Sequence, residues 1–262
     1  MPPARVLFYA ATAGGLALSA FAVVYQPPPT WVAITALLGY LALITLGVTF
    51  SRYSMFADVV TAGPADATGA ALTFDDGPDP ETTPRVLELL EEAGVKATFF
   101  VIGKKAEAHP ELVRDILARG HALGVHSYAH ERFMSLRSPR HVERDLGRSV
   151  AVIEEITGFR PRLFRAPIGH ISPAMARAAK ALELTVVGWS VRGVDGWSGA
   201  QPEKVARKVT AGLEDGAIVL LHDASERGDF VPASIAALPL VIEAAERRRL
   251  PFVRVDRWLA EA

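Results

Sequence analysis

The sequence contains no cysteine. That absence excludes disulfide staples and thiolate metal sites, although it names no compartment. Excess charge of one sign is also missing, with a formal net charge of −1 over 262 residues, so nothing points to a nucleic-acid partner. No internal repeat is visible, and the length suits one large domain or two small ones. Mean hydropathy is nevertheless positive although 22% of residues are charged. The apolar residues must therefore be concentrated, and they are concentrated at the N-terminus.

Charge is absent altogether from residues 6–25 (VLFYAATAGGLALSAFAVVY) and 31–50 (WVAITALLGYLALITLGVTF). Each stretch reaches the length of about 20 residues that a helix needs to cross a hydrocarbon core. Between them, Gln26-Pro27-Pro28-Pro29-Thr30 breaks the helix, and Tyr25, Trp31 and Tyr53 lie where aromatic residues favour the interface. A core hairpin and a cleavable signal peptide are the rivals. Two consecutive uncharged spans argue against the first. The cleavage-like Ala20-Phe21-Ala22 falls inside an apolar run, which argues against the second. The expectation is an uncleaved two-span hairpin over residues 1–53 that holds the protein to a lipid bilayer. Arg5 and Arg52 flank its outer ends, so the positive-inside rule favours the cytoplasm for the remainder of the chain, and the outer side stays open as the alternative.

Residues 54–69 read as a linker, and strand and helix signals alternate from residue 70 to residue 262. Strands are expected at 70–74, 97–102, 122–126, 163–166, 184–190, 217–222 and 252–255. Helical patterns fill 83–93, 109–119, 140–157, a segment opening at Ser172-Pro173, 203–213 and 234–248. This alternation predicts an α/β fold with a parallel sheet, and seven strands in this length suggest a closed (β/α)7 barrel. The active site then belongs at the C-terminal ends of the strands.

Those ends carry the chemistry. AALTFDDGP (70–78) stops a buried strand at Asp75 and Asp76, two like charges that need a cation beside them. HSYAH (126–130) follows another strand with two imidazoles four residues apart. His126 and His130 with Asp76 make an open set of two histidines and a carboxylate, which suits zinc or another divalent transition metal such as cobalt. Arg165, at the tip of the fourth strand, can neutralise the second carboxylate, Asp75. The fifth strand ends in Trp189-Ser190-Val191-Arg192-Gly193-Val194-Asp195-Gly196-Trp197, and the sixth in Leu220-Leu221-His222. His109, His121 and His141 read as surface residues, and His170 has no assigned role.

TFDDGP, HSYAH, RAPIG, WSVRGVD and LLH, in this order, resemble the motifs of NodB-type polysaccharide deacetylases (carbohydrate esterase family 4) over residues 70–255. The resemblance implies a distorted (β/α) barrel and metal-dependent removal of N- or O-acyl groups from amino sugars and their polymers. It implies Asp75 as general base, Asp76, His126 and His130 as metal ligands, Arg165 as partner of the base and His222 as general acid. Leu220 would line the acyl-methyl pocket beside Trp189, and the main-chain N–H of Ile168 would help hold the oxyanion. Two positions depart from the family pattern. Ile168 stands where Tyr or Phe is usual, and Arg192 where the fourth motif usually begins with Asp. Asp195 then either orients His222 or pairs with Arg165. Arg192 either packs on Asp195 or meets an anionic substrate group such as a phosphate. The expected substrate is an acylated amino-sugar polymer or a lipid-linked amino sugar. The alternatives are a catalytically altered sugar- or metal-binding protein of the same fold, and a structural anchor that docks a partner.

Overall fold

The computed structural model describes residues 1–259. The two uncharged stretches form helices α1 (Pro3–Val24) and α2 (Thr30–Thr49). Both are long and apolar enough to cross a membrane. Neither is packed into a core: α1 buries no residue, and α2 buries Gly47 alone. Gly47 is needed there because a Cβ would lie 2.1 Å from the Met55 sulfur. The open end of the hairpin is tied to the following segment. The Arg5 guanidinium donates to the carbonyls of Ser54 and Met55 and pairs with Asp58 at 2.8 Å.

Nine strands make one sheet: β1 (Val59–Val60), β2 (Ala70–Asp75), β3 (Thr98–Val101), β4 (Ala122–Val125), β5 (Leu163–Phe164), β6 (Thr185–Val187), β7 (Val191–Arg192), β8 (Ile218–His222) and β9 (Phe252–Val253). Their order is β1-β6-β5-β4-β3-β2-β8-β7, with β9 beside the start of β2, and every ladder is parallel. The α/β barrel-like expectation therefore holds, but the closed seven-strand form does not: the sheet has nine strands and stays open, and a short helix at Gly103–Ala108 was not expected. The expected linker contributes β1, which pairs with β6, and the expected strand 184–190 is shorter and is followed by a separate β7. The sheet curls without a continuous closing ladder. Its ends meet through the Ala62–Ala217 bridge and the Gly63 N–H donated to the Gly216 carbonyl.

Helices α3 (Thr83–Glu92), α4 (Gly103–Ala108), α5 (Pro110–Ala118), α6 (Pro139–Thr157), α7 (Pro173–Ala181), α8 (Pro202–Ala211) and α9 (Ala233–Arg247) connect the strands, and α10 (Val255–Leu259) follows β9. Ser138 and Ser172 cap α6 and α7 by accepting the N–H of His141 and Met175, and Gly158 ends α6 at a φ of 69°. Alternation along β2 divides its side chains between two layers. Leu72 and Phe74 join the larger core under the helices, and Ala71 joins Phe100, Ile218 and Trp258 in a smaller one. Thr73 and Asp75 share the face of Ala71, so the same alternation that builds the core turns one carboxylate inward.

His121 corrects an expectation. It is buried, not on the surface: its Nδ1 accepts the N–H of Ala97, and its ring meets Phe99 edge-on at 5.3 Å. Burial, then the positive charges of Lys96, Arg119 and Arg254, push its pKa down to about 4. The folded state thus keeps this imidazole neutral while the unfolded chain protonates it near 6.5. Stability from this group is complete above about 6.5 and is lost as pH falls toward 4. Thermal unfolding of the detergent-solubilised protein should show a loss of about 1–2 kcal/mol between pH 7 and 5, after allowance for solvent screening. The His121→Gln variant should lack this component, and an unchanged slope would show that His121 does not carry it.

Candidate active site

The C-terminal ends of β2, β4, β5, β7 and β8 converge on a cavity of about 310 Å³. Asp75, Asp76, His126, His130, Ile168, Trp189, Arg192, Leu220 and His222 all line it. Parallel register brings Asp75 opposite His222 and Phe100, so residues from distant motifs become neighbours. The backbone around the cavity is unusual. Asp76, Ser127, His130, Ile168 and Val194 all have positive φ, between 49° and 74°. Left-handed backbone costs a non-glycine residue about 1–2 kcal/mol, so each must be held by its surroundings. Lys105 Nζ donates to the Asp76 carbonyl at 2.7 Å, and the His130 N–H donates to Ser127 Oγ at 2.9 Å. The strain aims Asp76 and His130 into the cavity.

Asp76, His126 and His130 are all buried, and one ligand atom from each lies within 4.8 Å of the others. The two imidazole Nε2 atoms stand 3.4 and 3.2 Å from Asp76 Oδ1. His126 is turned by its far nitrogen: Nδ1 donates to the Arg165 carbonyl at 2.8 Å, which leaves the Nε2 lone pair facing inward. Asp76 Oδ1 is buried without a hydrogen-bond partner. Burial opposes ionisation of Asp76, yet His126, His130 and His222 outweigh it and hold the carboxyl far below the usual range. An orphaned anionic oxygen facing two imidazole nitrogens fits a divalent cation, and the borderline N/O donor set fits zinc.

Two ion pairs flank this trio. On one side the Arg165 guanidinium, 1% exposed, donates Nη1–H to Asp75 Oδ1 at 2.8 Å and to Thr73 Oγ1 at 2.7 Å. Its remaining donors reach the carbonyls of Val187 and Gly188, and its plane lies over the Phe100 ring. Asp75 Oδ2 stays toward the cavity, 3.8 Å from His126 Nε2. On the other side Asp195, fully buried, takes the His222 backbone N–H at 2.8 Å and faces His222 Nδ1 at 3.1 Å. Burial disfavours a charge on His222, but Asp195, then Asp76 and Asp75, overcome it and raise its pKa to about 9. Asp195 therefore orients His222 and does not pair with Arg165. Arg192 is exposed at the mouth and makes no ion pair among the described residues.

Leu220 is buried at the cavity floor, and the ring of Trp189 packs so closely on Gly169 that a Cβ there would lie 2.4 Å from it. Ile168 projects from the rim, and its N–H finds no acceptor among the described residues. His170 is not among the cavity-lining residues, while His109 and His141 are partly exposed, as expected. Sequence reading missed Thr73, Lys105, Glu226 and Asp223. Strand alternation could have found Thr73, two residues before Asp75 on the same face. Nothing local announces Glu226, whose Oε1 lies 3.5 Å from His130 Nδ1 and which pairs with Arg132. Asp223 is buried behind the site, accepting from Thr83, and burial pushes its pKa up to about 7.

The chain is similar to known proteins through this same region. The family model for polysaccharide deacetylase matches residues 62–187. A peptidoglycan-N-acetylglucosamine deacetylase of Bacillus cereus is 32% identical over 192 residues, 73% of this chain and 68% of its own length. A chitooligosaccharide deacetylase of Sinorhizobium fredii is 36% identical over 202 residues, covering 73% of this chain and 93% of its own. The crystal structure of the Bc1960 peptidoglycan N-acetylglucosamine deacetylase superposes with a TM-score of 0.71 at 30% identity, over 76% of this chain and 91% of that one. With relatives matched over most of their length and the same motifs gathered at one end of one sheet, the chain belongs to the polysaccharide deacetylase family.

Proposed function

We propose that the protein is a membrane-anchored, metal-dependent hydrolase that removes the N-acetyl group, or an O-acyl group, from an N-acetylglucosamine polymer or a lipid-linked amino sugar. The observation that carries this reading is the placement of two separately held proton carriers beside one trio of metal-type ligands. Asp75 is fixed by Arg165, and His222 is fixed by Asp195. Asp76, His126 and His130 would hold the ion, with Zn2+ favoured by the donors and Co2+ an alternative. When bound, that ion would lower the pKa of a water and polarise the acyl carbonyl.

The chain's own groups do the rest. Asp75, with Oδ1 engaged by Arg165, offers Oδ2 to take a proton from the attacking water. The Ile168 N–H is free to donate to the oxygen on which charge develops. Leu220 and Trp189 exclude water around the acyl methyl group. His222 carries a proton at neutral pH, and Asp195 holds its ring so that Nε2 can deliver that proton to the leaving amine. The exposed α1–α2 hairpin supplies the anchor, because two apolar helices with no core to enter, charged only at Arg5 on the outer end of α1, are best solvated by lipid.

The test is an assay of purified zinc- or cobalt-loaded protein on N-acetylchitooligosaccharides and on peptidoglycan fragments. Equal release of acetate and primary amine is expected from at least one of them. Protein that holds its metal yet frees neither acetate nor amine from these substrates or from a lipid-linked N-acetylamino sugar would instead be a catalytically altered binding protein of this fold.

A further inference from the structure

Exposed apolar side chains are distributed very unevenly over the barrel. Beyond residue 58, eight large hydrophobic residues are exposed among the described residues. Six of them, Phe133, Leu136, Ile168, Val194, Trp197 and Val231, lie on loops that leave the C-terminal ends of strands. They therefore ring the mouth of the active-site cavity. Phe133 and Leu136 are 72% and 80% exposed although Met134 between them is buried, so the turn that carries them is packed while its apolar tips are not. An apolar rim of this kind marks an interaction surface.

The hairpin meets the barrel at this same end. The Ile171 N–H, three residues beyond Ile168, donates to the Val48 carbonyl at 3.1 Å. Val48 belongs to the last turn of α2, where helix carbonyls have no partner of their own. The chain next reaches Phe50, Arg52 and Tyr53, with the Arg52 guanidinium 4.9 Å from the Tyr53 ring centre, a set suited to the membrane interface. The β5–α7 loop is thus held at the depth where the span ends. Charge agrees with this placement. Arg140, Arg192 and Arg227 are exposed on the mouth loops or at the start of α6 and make no ion pair among the described residues.

We propose that the mouth of the barrel rests on the bilayer surface, with anionic phospholipid headgroups as its partner. Phe133, Leu136, Trp197 and Val231 enter the interface, and Arg140, Arg192 and Arg227 meet lipid phosphates. Apolar tips beside arginines are the composition that binds anionic interfaces. This rests on the anchored-deacetylase reading and narrows it: the cavity takes its acylated amino sugar from the membrane surface and not from bulk water.

The absence of cysteine allows a direct test on the full chain. Leu136→Cys and, as a control on an αβ loop, Phe159→Cys are each labelled with an environment-sensitive fluorophore. The protein is then reconstituted into vesicles of phosphatidylglycerol and brominated phosphatidylcholine. The label at position 136 should lose fluorescence to the brominated chains while the label at 159 does not. Reversing charge with Arg140→Glu and Arg227→Glu should restore the signal at 136. Equal quenching at the two positions, or none at 136, would overturn the proposal. Quenching that survives the charge reversal would overturn anionic headgroups as the partner. Deacetylation of a soluble chitooligosaccharide is measured on the detergent-solubilised protein before reconstitution, with no bilayer at the mouth, so a failure of the enzyme reading shows there and leaves the fluorescence result standing.

Discussion

Replacing Asp75 with asparagine is expected to leave the metal bound while slowing deacetylation about 10²–10⁴-fold, the usual cost of losing a general acid–base group. The geometry makes the substitution clean on one side and costly on the other. Asparagine keeps an oxygen where Arg165 Nη1 donates, so the four-acceptor cradle of that guanidinium survives. What disappears is the carboxylate charge, both as proton acceptor and as counterion to a fully buried arginine. Leaving one member of a buried pair unmatched costs about 3–5 kcal/mol when the partner is removed outright. The amide dipole offsets part of that, so a lower unfolding midpoint should accompany the slow rate. Metal content, initial rate and thermal unfolding together decide the case. A near-normal rate with intact metal would mean that another group is the base.

His126→Ala should abolish metal retention. Altering a group that merely supports a ligand weakens metal binding about 10–100-fold, so deleting a ligand should exceed that range. Wild-type protein is expected to keep about one ion per chain after dialysis, and the variant essentially none. The structure sharpens this expectation, because His126 is the most constrained of the three: its ring is buried and its Nδ1 is committed to the Arg165 carbonyl. His222→Ala provides the contrast, since it should keep the metal and lose rate, with the defect partly relieved for substrates bearing a better leaving group. If His126→Ala retains its ion through dialysis, the ligand set is wrong.

Some of this was legible in the sequence because its signals are local. Hydropathy over 20 consecutive residues depends on nothing outside the window, so the two apolar helices were visible before any fold was known. Asp75-Asp76, His126 with His130, and the apolar strand ending at His222 were legible for the same reason. Each motif sits at a strand end, and alternation of strand and helix signals was enough to place all the ends together in a parallel sheet.

Other features depend on which strands become neighbours and on where the backbone turns. The contacts of Asp195 follow from β7 pairing with β8, which carries that carboxylate to His222, while Arg165 is consumed by Asp75, Thr73 and two carbonyls. Glu226 reaches His130, and Lys105 reaches Asp76, across gaps of sequence that no spacing rule spans. His121 looked like a surface residue because a lone histidine beside glycine carries no pattern, yet packing against Phe99 buried it. By itself the sequence determined most of the longer elements, the motif residues and the end of the sheet where they meet, since short-range periodicity and chain direction suffice for these. Only the tertiary structure decided the partner of each charge and the convergence of hairpin and active-site mouth, because long-range register and burial, not local composition, set which groups touch.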